Sequence, residues 1–276
     1  MISLKERLDV LLVQNGYFQS REKAKSAIMA GLVFVNKQIS DKPGTPTDTD
    51  AVIEVRDSLC PYVGRGGLKL EKALKEFGIC LNGAVAADIG ASTGGFTDCM
   101  LQNGAVKVYA IDVGYGQLDY KLRIDQRVVN MEKVNVRYLD PDKIPEKVDF
   151  ISIDVSFISV NLIFPVAVQL LKDEGTLVCL IKPQFEAGRE QVGKHGIVKE
   201  KTTHVEVIEK VIDYGQKSGL YPVGLTYSPM TGIKGNIEYL MMFEKSAGNT
   251  EKIPYDFNII ETVDKAHLNV TGGRGI

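Results

Sequence analysis

Apolar positions fall in short, separate groups through the first part of the chain, and in long alternating blocks after it. Leu8, Leu11 and Leu12 lie at helical spacing, and Gly16 is placed to end that helix before Tyr17 and Phe18. Ser20 supplies an N-cap oxygen for a second helix, Arg21 to Ala30, which Gly31 terminates. Val33 to Asn36 reads as a strand, Pro43 to Pro46 as a turn, and Asp50 to Val55 as another strand. These elements predict a small α+β unit over residues 1–61. Residues 62–67 hold Gly64, Gly66 and Gly67 and are expected to form an interdomain linker, flexible or tightly turned.

Residues 68–245 alternate strand and helix patterns. Strands are predicted at Val85–Ile89, Lys107–Asp112, Arg127–Met131, Val148–Val155, Thr176–Ile181, Val223–Tyr227 and Ile237–Phe243. Helices are predicted near Leu68–Phe77, Thr97–Asn103, Val160–Leu171 and Thr203–Ser218. Nearly continuous apolar strands separated by helices imply an α/β fold, with a mostly parallel seven-stranded sheet covered on both faces. Only Ser228–Asn236 joins the last two strands, which is short enough for antiparallel pairing. Residues 246–276 are expected to be a tail. It carries a weak stripe of Phe257, Ile260, Val263 and Leu268, a mobile Thr271–Gly275 end, and no assigned function.

Composition narrows the function classes. The chain has 276 residues, 44% hydrophobic and 25% charged, as expected of a folded protein with one large or two smaller domains. A formal charge of −2 excludes a uniformly basic nucleic-acid binder, so any such surface must be local. Arg21, Lys23 and Lys25 cluster on one predicted helix, whereas most acids of that unit fall between Asp41 and Asp57. Cys60, Cys80, Cys99 and Cys179 lie far apart without C-x-x-C spacing. They read as reduced core cysteines, with neither a metal site nor a disulfide framework. No apolar run reaches a membrane span and no leader pattern precedes Lys5, so a cytoplasmic protein without a membrane partner is expected.

The candidate chemistry gathers at strand ends, where open parallel sheets bind ligands. Asp88-Ile-Gly-Ala-Ser-Thr-Gly-Gly-Phe-Thr-Asp98 follows a predicted strand and opens a helix. Glycine there lets the backbone approach a ligand, and a helix start presents free N–H groups. The spacing fits neither G-x-G-x-x-G nor a P-loop. Asp112 ends the next strand and can accept hydrogen bonds from ribose hydroxyls, and Glu132 follows the third strand, beside the place for an adenine. Asp154, Lys182 and Glu238 stand at the ends of later strands, and Lys69 stands just after the glycines. Taken together, Lys69, Asp154, Lys182 and Glu238 converge at one sheet edge, which surface decoration does not explain.

Two resemblances add to this. Arg7-Leu-Asp9, Ser20-Arg21, Ala27 and Gly31-Leu-Val-Phe-Val-Asn36 resemble the S4 RNA-binding module. Arg65-Gly-Gly-Leu-Lys-Leu70, Asp88 to Phe96, Asp154-Val-Ser156, Ile181-Lys-Pro-Gln-Phe185 and Asn236-Ile-Glu-Tyr239 resemble the FtsJ-like ribose 2′-O-methyltransferases. An S4 module ahead of such a domain is the layout of the TlyA family, named both as haemolysins and as rRNA methyltransferases. The resemblance implies a class I, Rossmann-like sheet in the order 3-2-1-4-5-7-6, S-adenosyl-L-methionine as cofactor, and ribosomal RNA as partner. It implies methylation of cytidine 2′-hydroxyls, by a Lys-Asp-Lys-Glu tetrad that falls here on Lys69, Asp154, Lys182 and Glu238. Lys182 is the expected base. A lysine has a reference pKa of ~10.4, so it must be depressed to accept a proton at neutral pH. Cofactor contacts are expected from Asp88, Gly90, Ser92, Thr93, Gly94, Gly95, Phe96, Asp112, Glu132 and Asp154, and RNA contacts from Arg7, Arg21, Lys23, Lys25 and Arg65. The loop Val155-Ser-Phe-Ile-Ser159 departs from the Met-Ala-Pro of stand-alone FtsJ proteins. Three alternatives stand beside this reading: a haemolysin acting on membranes, a non-catalytic RNA-binding or ribosome-assembly factor, and a small-molecule methyltransferase on the same fold. The motifs need only a monomer and leave the oligomeric state open.

Overall fold

A computed structural model describes residues 5–18, 20–29, 31–55, 60–232, 235–245 and 255–271. The chain divides into two units, Met1–Pro61 and Tyr62–Ile276, each taken here by itself.

The first unit runs β1 (Lys5–Arg7), α1 (Leu8–Gln14), α2 (Arg21–Met29), β2 (Val33–Val35), β3 (Gln38–Ile39), β4 (Pro46–Asp48) and β5 (Ile53–Val55). Leu8, Leu11 and Leu12 of α1 meet Ala24, Ala27 and Ile28 of α2 over Val33 and Ile53, and all of them are buried. Gly16 takes φ +77° just past α1. The Ser20 hydroxyl accepts from the Lys23 N–H at 3.3 Å at the start of α2, which the structure describes as far as Met29. Asn36 and Lys37 both have positive φ and close the two-residue β2–β3 hairpin, the backbone such a turn requires. Pro46, expected within a turn, begins β4, which pairs antiparallel with β1. Ladders this short carry too few residues for a period to show in sequence.

The second unit runs α3 (Gly66–Phe77), β6 (Val85–Ile89), α4 (Gly95–Gln102), β7 (Lys107–Ile111), α5 (Tyr120–Arg123), β8 (Val128–Met131), β9 (Val148–Ile153), α6 (Phe164–Leu170), β10 (Leu171–Ile181), α7 (Pro183–Glu186), α8 (Lys201–Lys217), β11 (Leu220–Tyr227), β12 (Tyr239–Lys245) and α9 (Ile259–Thr271). Its sheet has the order β11-β12-β10-β9-β6-β7-β8. Counted from β6, that is the 3-2-1-4-5-7-6 order of a class I methyltransferase. β12 runs antiparallel to β10 and β11, and the other pairs are parallel. Strand order reverses about β6, which puts a ligand crevice at the C-terminal ends of β6, β7 and β9. β10 starts five residues earlier than its apolar run, because an irregularity between Leu171 and Thr176, with Glu174 at φ +62°, hides the first pairing.

Several expectations are corrected. Residues 62–67 belong to the second unit and are packed into it. α3 starts at Gly66, and the Gly67 N–H donates to the Gly64 carbonyl at 3.0 Å. A Cβ on Gly67 would stand 2.3 Å from the Tyr62 ring, and one on Gly64 would stand 2.9 Å from the Thr93 hydroxyl. These glycines serve close approach, not flexibility. In the tail, α9 buries Ile259, Val263 and Ala266, while Ile260 and Leu268 face solvent. Lys201 of α8 pairs with Asp264 of α9 at 2.6 Å. Cys99 and Cys179 are buried, but Cys80 is exposed and Cys60 is partly so. Of the end expected to be mobile, Thr271–Gly275, residues 272–275 lie outside the described residues.

Candidate active site

The turn after β6 is built for contact. Gly90 takes φ +91°, and a Cβ there would lie 2.4 Å from the Asp154 carbonyl oxygen. Glycine therefore lets the ends of β6 and β9 meet. The Ser92 N–H donates to Asp112 Oδ2 at 2.8 Å, and the Gly114 N–H donates to Oδ1 at 2.6 Å, so Asp112 staples two loops together. Gly94, at φ +95°, has no room for a side chain beneath Leu118 and Leu122. Beside the turn is a cavity of about 470 Å³, in the size range of small-ligand sites. Ile89, Ile111, Val113, Val134, Val136 and Ile163 give it apolar walls, and Asp112 and Asn135 give it polar ends.

The tetrad forms two ion pairs on one cleft. Lys182 follows β10 directly, at the N-cap position of α7, whose first residue is Pro183. Its Nζ lies 2.5 Å from Asp154 Oδ1 and donates to the Ser156 hydroxyl at 2.9 Å. Lys69, in the first turns of α3, donates from Nζ to Glu238 Oε2 at 2.6 Å. The two lysine side chains are 10% and 12% exposed and Glu238 is 3% exposed, so each charge faces its partner with little water between. All four residues line a cleft of about 440 Å³ that shares Gly90, Ser92 and Asp154 with the nucleoside-sized cavity. A smaller hollow, lined by Arg65, Lys69, Ser92, Thr93, Gly95 and Phe96, adjoins both.

Three expected cofactor residues stand apart from these hollows. Asp88 is fully buried and accepts from the Thr97 hydroxyl at 2.7 Å and the Ser152 hydroxyl at 2.9 Å. It ties β6 to β9 and to the first turn of α4, and burial pushes its carboxyl up to about 6. Gly94 sits under the leucines. The Glu132 carboxylate accepts from the Gly116 N–H at 2.8 Å and from Arg123, so it holds the 113–117 turn. A strand-end acid reads the same in sequence whether it meets a ligand or a neighbouring backbone.

Other residues of the quoted motifs also reach the cleft, though none was expected as a site residue. Phe157 is 90% exposed at φ +64°, and its ring lies 4.9 Å from that of Phe185. Ser156 and Gln184 line the same walls. Asn236 is buried and donates from Nδ2 to the Gly196 carbonyl at 2.8 Å, while its Oδ1 accepts from the Val198 N–H at 3.0 Å. The signal for Phe157 was its place three residues after Asp154, in the loop that departs from the Met-Ala-Pro type.

In the first unit, Asp9 is completely buried. It accepts from Arg7 Nε at 3.0 Å, Arg7 Nη2 at 3.2 Å and Arg21 Nη2 at 2.9 Å. The hydrogen bond from Arg7 is the largest cause that holds its carboxyl down to about 2. Arg7 and Arg21 are half exposed, Lys23 is exposed and Lys25 is intermediate.

The FtsJ-like methyltransferase family matches residues 62–245, and the S4 domain family matches residues 6–53. A candidate rRNA methyltransferase of Bacillus subtilis, YqxC, is 50% identical over 97% of this chain and 96% of its own. A 16S/23S rRNA (cytidine-2′-O)-methyltransferase TlyA of Mycobacterium tuberculosis is 42% identical over 85% of this chain and 88% of its own. The solved structure of a candidate hemolysin from Streptococcus thermophilus is 46% identical, with a TM-score of 0.78 over 99% of this chain and 100% of that one. Among the described residues, no helix is long and apolar enough to cross a membrane.

Proposed function

The chain belongs to the TlyA family of FtsJ-like methyltransferases, and on that premise we propose that it methylates the ribose 2′-hydroxyl of cytidine in ribosomal RNA, in the cytoplasm, using S-adenosyl-L-methionine. The observation that carries the reading is the convergence of Lys69, Asp154, Lys182 and Glu238 on a cleft that adjoins a nucleoside-sized cavity. That cavity suits the cofactor. It has apolar walls for a base, Asp112 for ribose hydroxyls, and a Gly90 turn that brings backbone to its edge. Asp112 already accepts two N–H bonds, but a carboxylate has about four acceptor positions.

When bound, S-adenosyl-L-methionine supplies a methyl group activated by a sulfonium. The protein's residues then have two tasks: alignment, and removal of a proton from a poor nucleophile. Lys182 takes the hydroxyl proton at Nζ. Asp154 and Ser156 hold that nitrogen from one side, so that its lone pair faces the cleft when it is neutral. Lys69, fixed by Glu238, donates to the incoming ribose. The S4 unit binds RNA through Arg7, Arg21, Lys23 and Lys25, and Arg65 adds a phosphate contact at the rim of the catalytic unit.

The test is transfer of labelled methyl to ribosomal subunits from a strain lacking this gene, with wild type and Lys182→Ala in parallel. Label from wild type alone, at a nucleotide that resists alkaline cleavage, supports the assignment. Cofactor binding without RNA label refutes the substrate class, and full activity of folded Lys182→Ala refutes the base.

A further inference from the structure

Two segments meet at the cleft, the loop after β9 (residues 154–160) and the end of β10 with α7 (residues 182–186). They are joined rung by rung. Lys182 binds Asp154 and Ser156, and Phe185 lies against Phe157. The third rung is Glu186. Its Oε2 accepts from the Ser159 hydroxyl at 2.7 Å, and its Oε1 accepts from the Val160 N–H at 2.8 Å. From α8, Lys210 Nζ donates to the Glu186 backbone carbonyl at 2.8 Å.

Glu186 is 4% exposed, and it does not line the cleft. A buried carboxylate is a costly way to fill core volume, and an apolar side chain would do it better. This one spends both its oxygens on the single loop that carries Asp154 and Ser156. That loop needs restraint, because Phe157 sits at φ +64°, a backbone that a bulky L-residue avoids and keeps only when held from both sides. Upstream, the Asp154 N–H donates to the Ile89 carbonyl at 2.9 Å. Downstream, the anchor is Glu186.

We propose that Glu186 is a positioning residue for methyl transfer: by fixing Ser159 and Val160 it holds the strained loop at the register in which Asp154 and Ser156 grip Lys182. The inference rests on the reading of Lys182 as the base. Glu186 acts through the loop and touches no reactant.

The test combines a readout without substrate and one with it. Lysine reactivity toward reductive methylation is measured residue by residue by mass spectrometry in wild type, Glu186→Ala, Glu186→Gln and Ser159→Ala. Single-turnover methyl transfer follows at saturating cofactor and RNA. In Glu186→Ala, Lys182 labelling should rise several-fold while that of Lys69, equally buried but held by Glu238, stays unchanged. The saturated rate should fall ~10- to 100-fold, the scale of a misplaced catalytic group. Glu186→Gln should restore both, because its amide can accept from Val160 and donate to the Ser159 oxygen. Ser159→Ala removes one rung from the other side and gives an intermediate Lys182 signal, even if Glu186→Ala does not fold. Unchanged Lys182 labelling in Ser159→Ala and Glu186→Ala overturns the proposal, as does a parallel rise at Lys69. If Lys182 labelling responds but wild type methylates no RNA, the assigned reaction fails and the positioning role stands.

Discussion

Replacing Gly90 by alanine tests whether the two hollows depend on one backbone contact. Gly90 and Gly83 have similar backbones, at φ +91° and φ +76°, but a Cβ at Gly83 meets nothing within 4 Å. Both substitutions therefore pay ~1–2 kcal/mol for a left-handed L-residue. Only Gly90→Ala adds a collision, with its Cβ 2.4 Å from the Asp154 carbonyl oxygen where ordinary contact begins at 3.4 Å. The difference, 3.4 − 2.4, requires a shift of about 1 Å between the ends of β6 and β9, and overpacking of this kind costs ~1–3 kcal/mol. A 1 Å displacement of Asp154 also moves the partner of Lys182, and misplacement on that scale can lower a rate ~10²-fold. Thermal unfolding, calorimetric titration with S-adenosyl-L-methionine and methyl transfer should be measured on both variants. Gly83→Ala should lose stability alone, and Gly90→Ala should lose stability, cofactor affinity and rate. Equal destabilisation by the two, with cofactor affinity intact in Gly90→Ala, refutes the reasoning.

Three further outcomes are expected. Glu238→Gln leaves the Lys69 ammonium without a counter-charge, and should lower methyl transfer ~10²-fold while cofactor affinity stays within a few-fold; an unchanged rate removes Lys69 and Glu238 from the mechanism. The Asp88 carboxyl titrates at about 6 when folded against 3.8 when unfolded, so the folded state holds the extra proton in that window. Its contribution to stability is then greatest below pH 3.8 and is lost as pH rises towards 6, by ~3 kcal/mol in all. Asp88→Asn should gain stability relative to wild type across that interval, and a pH-independent difference in denaturant midpoints would contradict it. Asp9 has the opposite sign: held down to about 2, it stabilises fully above the ordinary carboxylate range and loses this between about pH 4 and 2. Amide exchange in α1 and α2 should therefore accelerate over that window in wild type and show no such step in Asp9→Asn.

The sheet was legible because its central strands are buried on both faces, so Val85–Ile89 read with its observed bounds and β9 was overrun only at its end, to Val155. The convergence of Asp154, Lys182 and Glu238 was legible because polar residues beside strand ends stand out against that background, and Lys69, in α3, was marked by the glycines before it. What escaped notice was decided by tertiary contact. Gly64, Gly66 and Gly67 look like a linker until Tyr62 and Thr93 are seen to fill the space beside them. Asp88 and Asp112 both end strands, yet one is sealed between Thr97 and Ser152 while the other borders a cavity. The α9 stripe was misphased by one residue at Ile260 and shifted at its end from Ala266 to Leu268, because a single helix face on a polar segment gives a weak periodic signal.

The wall common to the two hollows has a consequence for inhibitors. Gly90, Ser92 and Asp154 border both, so a molecule seated in the cavity beside the Gly90 turn reaches the lysine cleft without a long tether. A short bridge between two fragments turns the second contact into an intramolecular event at millimolar effective concentration. The cavity beside the Gly90 turn alone offers little discrimination, since the fold serves many reactions. Selectivity would have to come from the half that spans the wall and meets Lys69, Glu238 and the exposed face of Phe157.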